Sequence, residues 1–121
     1  VELEWSSFRP LTEANIKAYV PTGSGVYLLW AQLKNDKWRC YYVGQADRLE
    51  RRLSEHIANT EPNECIKEHI VNHNNSYEYA SVDKKTDRDG IEKFLYDHFK
   101  PTCNDVDPGG SPIEVNLPLC E

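Results

Sequence analysis

The chain has 121 residues, 39% of them hydrophobic and 28% charged, with a formal net charge of -6. That length suits one small domain with a single core, and no apolar run approaches the length needed to span a bilayer, which excludes an integral membrane protein of the helical kind. The acidic balance argues against a uniformly basic nucleic-acid binder, yet the charge is uneven: residues 37–60 carry five Lys/Arg against three Asp/Glu, residues 61–99 five against nine, and residues 100–121 one against four. The chain starts at Val1, contains no Met and shows no signal-peptide sequence, which points to a cytoplasmic protein or an excised piece of one.

In chain order, Thr12 opens a short helix over residues 11–19, and Pro21, Gly23 and Gly25 end it. Residues 26–33 and 38–43 are rich in aromatic and β-branched side chains and predict two strands, joined by the turn residues 34–37. If Asn35 and Asp36 form a two-residue hairpin loop, Leu29 pairs with Tyr42 and Tyr27 with Gly44. That register sets Tyr27 and Tyr42 on one face as diagonal neighbours roughly 7–8 Å apart, whereas an odd-length loop would separate them. The plain reading of each tyrosine alone is good strand packing.

Asp47 is a suitable N-cap for a helix to about residue 59, with Leu49, Leu53 and Ile57 as its buried stripe. Arg48, Arg52 and His56 form an adjacent stripe, while Arg51 and Glu55 face roughly the other way. A second helix over residues 64–71 ends in a polar run, and residues 77–82 predict a third strand. Asp87 or Asp89 could cap a last helix over residues 90–99, whose first turn holds Glu92 and which Pro101 stops. The remaining segment, 105–121, alternates Ile113, Val115 and Leu117, as a docked extended segment or a linker would.

The four cysteines, Cys40, Cys65, Cys103 and Cys120, are widely spaced with no Cys-x-x-Cys pair, so reduced, mostly buried thiols are expected. Cys65, His69 and His73 recur every four residues on one helix stripe, as metal ligands can, although a half-buried helix face is the commoner reading of such a pattern.

Taken together, these residues resemble the GIY-YIG nuclease family. Gly25-Val26-Tyr27 is similar to its first signature and Tyr42-Val43-Gly44 to its second. Arg52 stands eight residues after Gly44, where the family has a helix arginine, and His56 four residues further on. Ile91-Glu92, Pro101 and Asn104 are similar to the family's metal-binding glutamate and its closing proline and asparagine. Six positions in order at matching spacing are a strong signal where each motif alone is weak. Two departures, a longer stretch between the tyrosines and Gln45 after Gly44, are expected to lie outside the chemistry.

The resemblance implies an α+β fold, with a small three-stranded antiparallel sheet flanked by helices in the order β-β-α-α-β-α. Residues 1–24 would be an extension with a short helix, 25–104 the nuclease-like domain and 105–121 a tail. It also implies a metal-dependent endonuclease acting on DNA, branched or structured DNA included, with an accessory DNA-targeting domain or partner protein as a further implied element. Glu92 would hold one Mg²⁺ or Mn²⁺. Tyr27 would be the general base, Tyr42 would bond phosphate or water, Arg52 would neutralise developing charge and His56 would relay a proton or orient Tyr27. Asn104 would fix the site geometry, and Arg48 is a candidate phosphate contact. The rival expectation is a non-catalytic nucleic-acid or protein interaction module that keeps the fold.

Overall fold

Residues 26–31 show no polar–apolar alternation, and the computed structural model, which describes residues 2–118, gives the reason: their strand is covered on both faces. The elements are β1 (Arg9–Pro10), α1 (Glu13–Tyr19), β2 (Gly25–Gln32), β3 (Trp38–Ala46), α2 (Leu49–Ile57), α3 (Glu64–Asn72), β4 (Asn75–Ser81) and α4 (Lys85–Phe99). The fold is α+β, with one antiparallel sheet in the order β1-β4-β2-β3. The expected count of three strands is corrected to four, because Arg9 and Pro10 pair with Tyr77 and Ser76 on the outer edge of β4. No helix among the described residues is long and apolar enough to cross a membrane.

Two cores form, one on each face of the sheet. Tyr27, Leu29, Ala31, Tyr41 and Tyr77 pack under Ile16 of α1, Leu49 and Leu53 of α2 and Ile66 of α3. Val26, Leu28, Trp30, Cys40 and Val43 pack against Ile91 and Leu95 of α4, with Val115 and the N-terminal Trp5 and Phe8 closing that side. Each fully buried apolar side chain of β2 contributes about 1.5–3 kcal/mol, and nearly the whole strand is buried. The segment after α4 docks as an extended strip: Asn116 exchanges bonds with the backbone of Leu3, and its carbonyl accepts from Trp5 Nε1 at 2.9 Å.

The β2–β3 register agrees with the sequence expectation, but through different geometry. Leu33 N–H donates to the Lys37 carbonyl at 2.7 Å, Asp36 N–H donates to Leu33 O, and Asp36 has φ 68°, so the loop has three residues rather than two. Trp30 therefore faces Cys40, one residue out of step. Between that pair and Leu29–Tyr42 the register shifts, leaving Tyr41 as an extra residue in β3, a β-bulge. It restores Tyr27 opposite Gly44, and it turns Tyr41 and Tyr42 to the same face.

Two helix starts and one buried position differ from expectation. Asp47 does not cap α2; Arg48 occupies that position without a side-chain bond, because Gly23 and Pro21 carbonyls already accept from Leu49 and Glu50 N–H. Asp47 turns instead to Arg88 Nη2 at 2.8 Å. Helix α4 begins at Lys85, five residues before Gly90, and runs through the glycine. A side chain at Gly90 would press on Ile113, whose N–H bonds the Gly90 carbonyl, so the glycine admits the C-terminal strip rather than opening a helix. At α2's inner face His56 replaces the expected Ile57, which is only partly buried.

The expectation of reduced thiols is also corrected. Cys65 of α3 and Cys103 are joined as a disulfide with Cα atoms 5.4 Å apart, within the usual bridging range. Sequence spacing gave no sign of it, since the two are separated by 38 residues. His73, the expected third member of the helix stripe, bonds the Gln32 carbonyl instead. Cys120 lies outside the described residues.

Gly25 begins β2 with a carbonyl of β4 directly above it, so an added Cβ would overlap Ala80 O and Leu49 Cδ1. Gly25→Ala should lower stability by about 1–3 kcal/mol. Gly23→Ala, with nothing within 4 Å of the new atom, should stay within about 0.5 kcal/mol. Denaturant midpoints read both, and equal midpoints would contradict the packing described.

Candidate functional site

Gly44 stands opposite Tyr27 in β3, and the phenol uses the space its missing side chain leaves: a Cβ there would overlap Tyr27 Cζ and Oη. Tyr27 is 0% exposed, and its hydroxyl donates to His56 Nε2 at 2.7 Å. The other ring nitrogen, Nδ1, donates to Glu61 Oε1, which places the proton on Nδ1 and leaves Nε2 as an acceptor. Glu61, 3% exposed, is held in turn by Asn63 N–H on its second oxygen at 3.0 Å. The result is a buried chain from carboxylate through imidazole to phenol.

The charges inside this chain follow from burial. Burial first, then the neighbouring Arg52, hold His56 down to about 4, so the ring is neutral at pH 7. Burial and the Tyr42 phenol push Tyr27 well above its ordinary value, with Arg52 acting against them. Tyr42 is raised by burial as well, and Arg52, which hydrogen-bonds its hydroxyl, opposes the rise. Burial works to lower Arg52, but the two phenols outweigh it and raise it.

Tyr42 stacks beside Tyr27 with ring centroids 6.1 Å apart and touches His56 edge-on at 5.2 Å. It is only half-buried, so it is the phenol nearer the surface. Arg52 also pairs with Glu55 Oε1 at 3.2 Å, while Arg51 takes the other oxygen of Glu55. Glu55 thus grips both arginines, although the helix pattern sets it on the side of Arg51. Arg48, Arg51 and Arg52 line one cleft of about 280 Å³ with Ala46, Asp47 and Glu55. Asn104 lies on the open edge of β3, accepting from Val43 N–H at 3.0 Å and donating to Val43 O at 2.8 Å, as a partner strand would. It locks the strand rather than facing the cleft.

Glu92 comes from α4, on the opposite layer, and reaches the same sheet edge, where its charge raises both phenols. Its Oε1 accepts from Gln45 Nε2 at 2.8 Å, and the same nitrogen donates to Asp89 Oδ1 at 2.7 Å. Gln45 therefore touches the candidate metal residue, a contact that the sequence did not announce. Arg88 holds the Gln45 amide oxygen and Asp47 together. A hard divalent ion fits here on two counts. The donors are carboxylate oxygens, and among the described residues no group bonds Glu92 Oε2. Burial, opposed by Gln45 and assisted by Asp89, raises Glu92, a rise that a cation beside it would reverse.

The structure thus gathers Tyr27, Tyr42, Arg52, His56 and Glu92 around one edge of the sheet, with Arg48 in the adjoining cleft and Asn104 behind the strand. Sequence reasoning missed Glu61, Gln45 and Asp89. Glu61 lies five residues beyond His56 and past the end of α2, so no helical period links them. Asp89 was legible, one turn before Glu92, once α4 is known to begin earlier. Comparison of the chain with protein-family models, with curated proteins and with solved structures finds no match.

His56 and Glu78 give stability opposite dependences on pH. His56 is depressed to about 4 from 6.5, so its contribution is full above 6.5 and is lost as pH falls toward 4. Glu78, which accepts from Trp30 Nε1 at 2.9 Å, is raised by burial from 4.5 to about 7. Its contribution is full below 4.5 and is lost as pH rises to 7. The parent should be nearly flat between these limits, whereas Glu78→Gln should gain stability from pH 4.5 to 6.5. Chemical denaturation at each pH tests this, and a flat Glu78→Gln profile would mean that His56 is not held neutral.

Proposed function

We propose that the chain is a metal-dependent endonuclease domain of the GIY-YIG type that hydrolyses DNA phosphodiesters. One observation carries the reading: two phenols, a guanidinium, a neutral imidazole backed by a carboxylate, and a separate acid from another layer meet at one edge of the sheet. A packing surface has no need of that combination. Phosphodiester hydrolysis uses each member: a base for the attacking water, a cation for the phosphoryl oxygens and an acid to hold a metal.

In this proposal Arg52 binds the scissile phosphate, drawn from Glu55 by the stronger charge of the ligand. Its departure loosens Tyr42 over Tyr27 and opens the covered hydroxyl to water. Tyr27 takes a proton from the attacking water as its own passes to His56 Nε2. Glu61 holds the resulting imidazolium, much as an acid steadies the histidine of a hydrolase triad. Tyr42 bonds the phosphate or the water. Bound at Glu92, Mg²⁺ or Mn²⁺ would supply charge to stabilise the leaving oxygen. Arg48 and Arg51 line the cleft as further phosphate contacts, and the chain's formal net charge of -6 leaves room for a targeting domain or partner protein that brings the DNA.

Plasmid or branched DNA should be nicked in Mg²⁺ or Mn²⁺ and left intact in EDTA. Glu92→Ala and Arg52→Ala should each lose roughly 10²–10³-fold in rate. If the parent protein cuts no DNA with either metal at any salt concentration, the interaction-module reading, which the complete burial of Tyr27 also suits, takes over.

Glu61→Gln keeps a hydrogen-bond acceptor for His56 but cannot neutralise an imidazolium. Cleavage should slow by roughly 10²–10⁴-fold while DNA binding stays at the parent level. Parent-like cleavage by this variant would remove Glu61 from the proton path.

A further inference from the structure

A second set of reactive side chains lies between α3 and the segment after α4. Cys65 and His69 stand one turn apart on α3, and Cys103, 2% exposed, meets them from the other side. The donor atoms of the three lie within 4.8 Å of one another. His69 Nδ1 is 3.5 Å from Cys103 Sγ and 4.0 Å from Cys65 Sγ. A tetrahedral zinc ion, with bonds of about 2.3 Å to sulfur and about 2.0 Å to nitrogen, sets a sulfur–nitrogen edge of about 3.6 Å. The two separations bracket that value.

The imidazole is also pre-positioned. Its ring stacks on Tyr41 with centroids 4.5 Å apart and planes 15° from parallel, and Nδ1 donates to the Cys65 carbonyl at 2.8 Å. The imidazole is thus held beside both sulfurs by its ring stacking and by its bond to the α3 backbone. Cysteine thiolates with imidazole select zinc-like ions, whereas the carboxylate oxygens around Glu92 suit Mg²⁺ or Mn²⁺. The two sites therefore differ in ligand softness as well as in place.

We propose that Cys65, Cys103 and His69 form a zinc site that is assembled when their disulfide is reduced and abolished when it forms. A dithiol reductant supplies two electrons and two protons to the sulfur–sulfur bond, is itself oxidised to a disulfide, and leaves two thiols. Binding Zn²⁺ releases both thiol protons to solvent. The ion takes two thiolates and Nδ1 of neutral His69, whose remaining proton moves to Nε2, and water completes four-coordination. Because the ion joins the same two residues as the disulfide, the segment carrying Asn104 stays tied to α3 in both states. The proposal does not depend on the nuclease reading.

The test uses the whole chain with Co²⁺ as a spectroscopic probe and Zn²⁺ as competitor. Reduced protein should bind one Co²⁺, giving sulfur-to-cobalt charge transfer and the intense visible bands of tetrahedral cobalt, and Zn²⁺ should displace it. Oxidised protein should give neither. Cys65→Ser and Cys103→Ser should lose the charge-transfer band, and Cys120→Ser should keep it. His69→Ala leaves both sulfurs and the disulfide in place, so its folding can be checked in the oxidised state; its zinc affinity should fall by at least about tenfold. The Tm of the reduced parent should rise with Zn²⁺ and not with Mg²⁺. A reduced parent without tetrahedral cobalt bands, or a His69→Ala variant that binds as tightly as the parent, would overturn the proposal.

Discussion

One residue without a cross-strand partner governs the candidate site. The three-residue loop after β2 sets the hairpin one step out of phase, and a strand without correction would turn Tyr42 to the face opposite Tyr27. Tyr41 is the correction. As the extra residue of a bulge it brings Gly44 back opposite Tyr27 and sets two successive tyrosines on one face. The bulge also provides an anchor, because the Tyr41 carbonyl accepts from Cys103 N–H at 2.8 Å. One residue further, Asn104 pairs with Val43. The edge strand of the sheet is therefore closed by the segment that follows α4, and Tyr42 sits on a strand that is held on both sides.

The same segment reaches the buried chain behind Tyr27 through Asn63. Its side-chain oxygen accepts from Cys65 and Ile66 N–H at the start of α3, its amide nitrogen donates to Cys103 O, and its backbone N–H holds Glu61. A carboxylate this deeply buried needs its oxygens satisfied, and Glu61 has His56 on one and Asn63 on the other. The network is closed on itself, with no buried side-chain nitrogen or oxygen left unpaired among the described residues. Such closure confers rigidity at the position where a proton would have to be received, which suits a base that must be held rather than found.

How much of this could be read from the sequence varies with the range of the interaction. Local signals served well: Thr12 caps α1 by accepting from Asn15 N–H, residues 26–31 form a strand, and the spacing of Arg52 and His56 brings both to the side of Tyr42. The pairs Leu29–Tyr42 and Tyr27–Gly44 are correct although the loop that predicts them is not, since an extra loop residue and an extra strand residue offset each other. What the sequence hides is contact across the chain. Gly90 reads as a helix start because nothing local announces that Ile113 will lie on it. Asp47 reads as a cap because Arg88 is 41 residues away. Glu61 and the Cys65–Cys103 bond belong to the same class: each follows from where α3 and the segment after α4 come to rest, not from any period.

The acidity of the chain takes on a different meaning once its charges are placed. Salt screens charges beyond about 8–10 Å, so a phosphate at the cleft responds chiefly to Arg48, Arg51 and Arg52 and much less to acids on remote surfaces. Several acids are also paired where they stand: Glu13 with Lys17, Asp89 with Lys85, and Asp97 and Asp107 sharing Lys93. Glu55 is the exception that matters, because it shares the cleft and holds two of its three arginines. In the proposed reading, a phosphate would have to displace that carboxylate to gain them, so Glu55 would compete with it at the point of contact. An acidic domain of this design would bind a polyanion weakly on its own while contacting one phosphate closely, which is the division of labour expected where a separate element brings the nucleic acid.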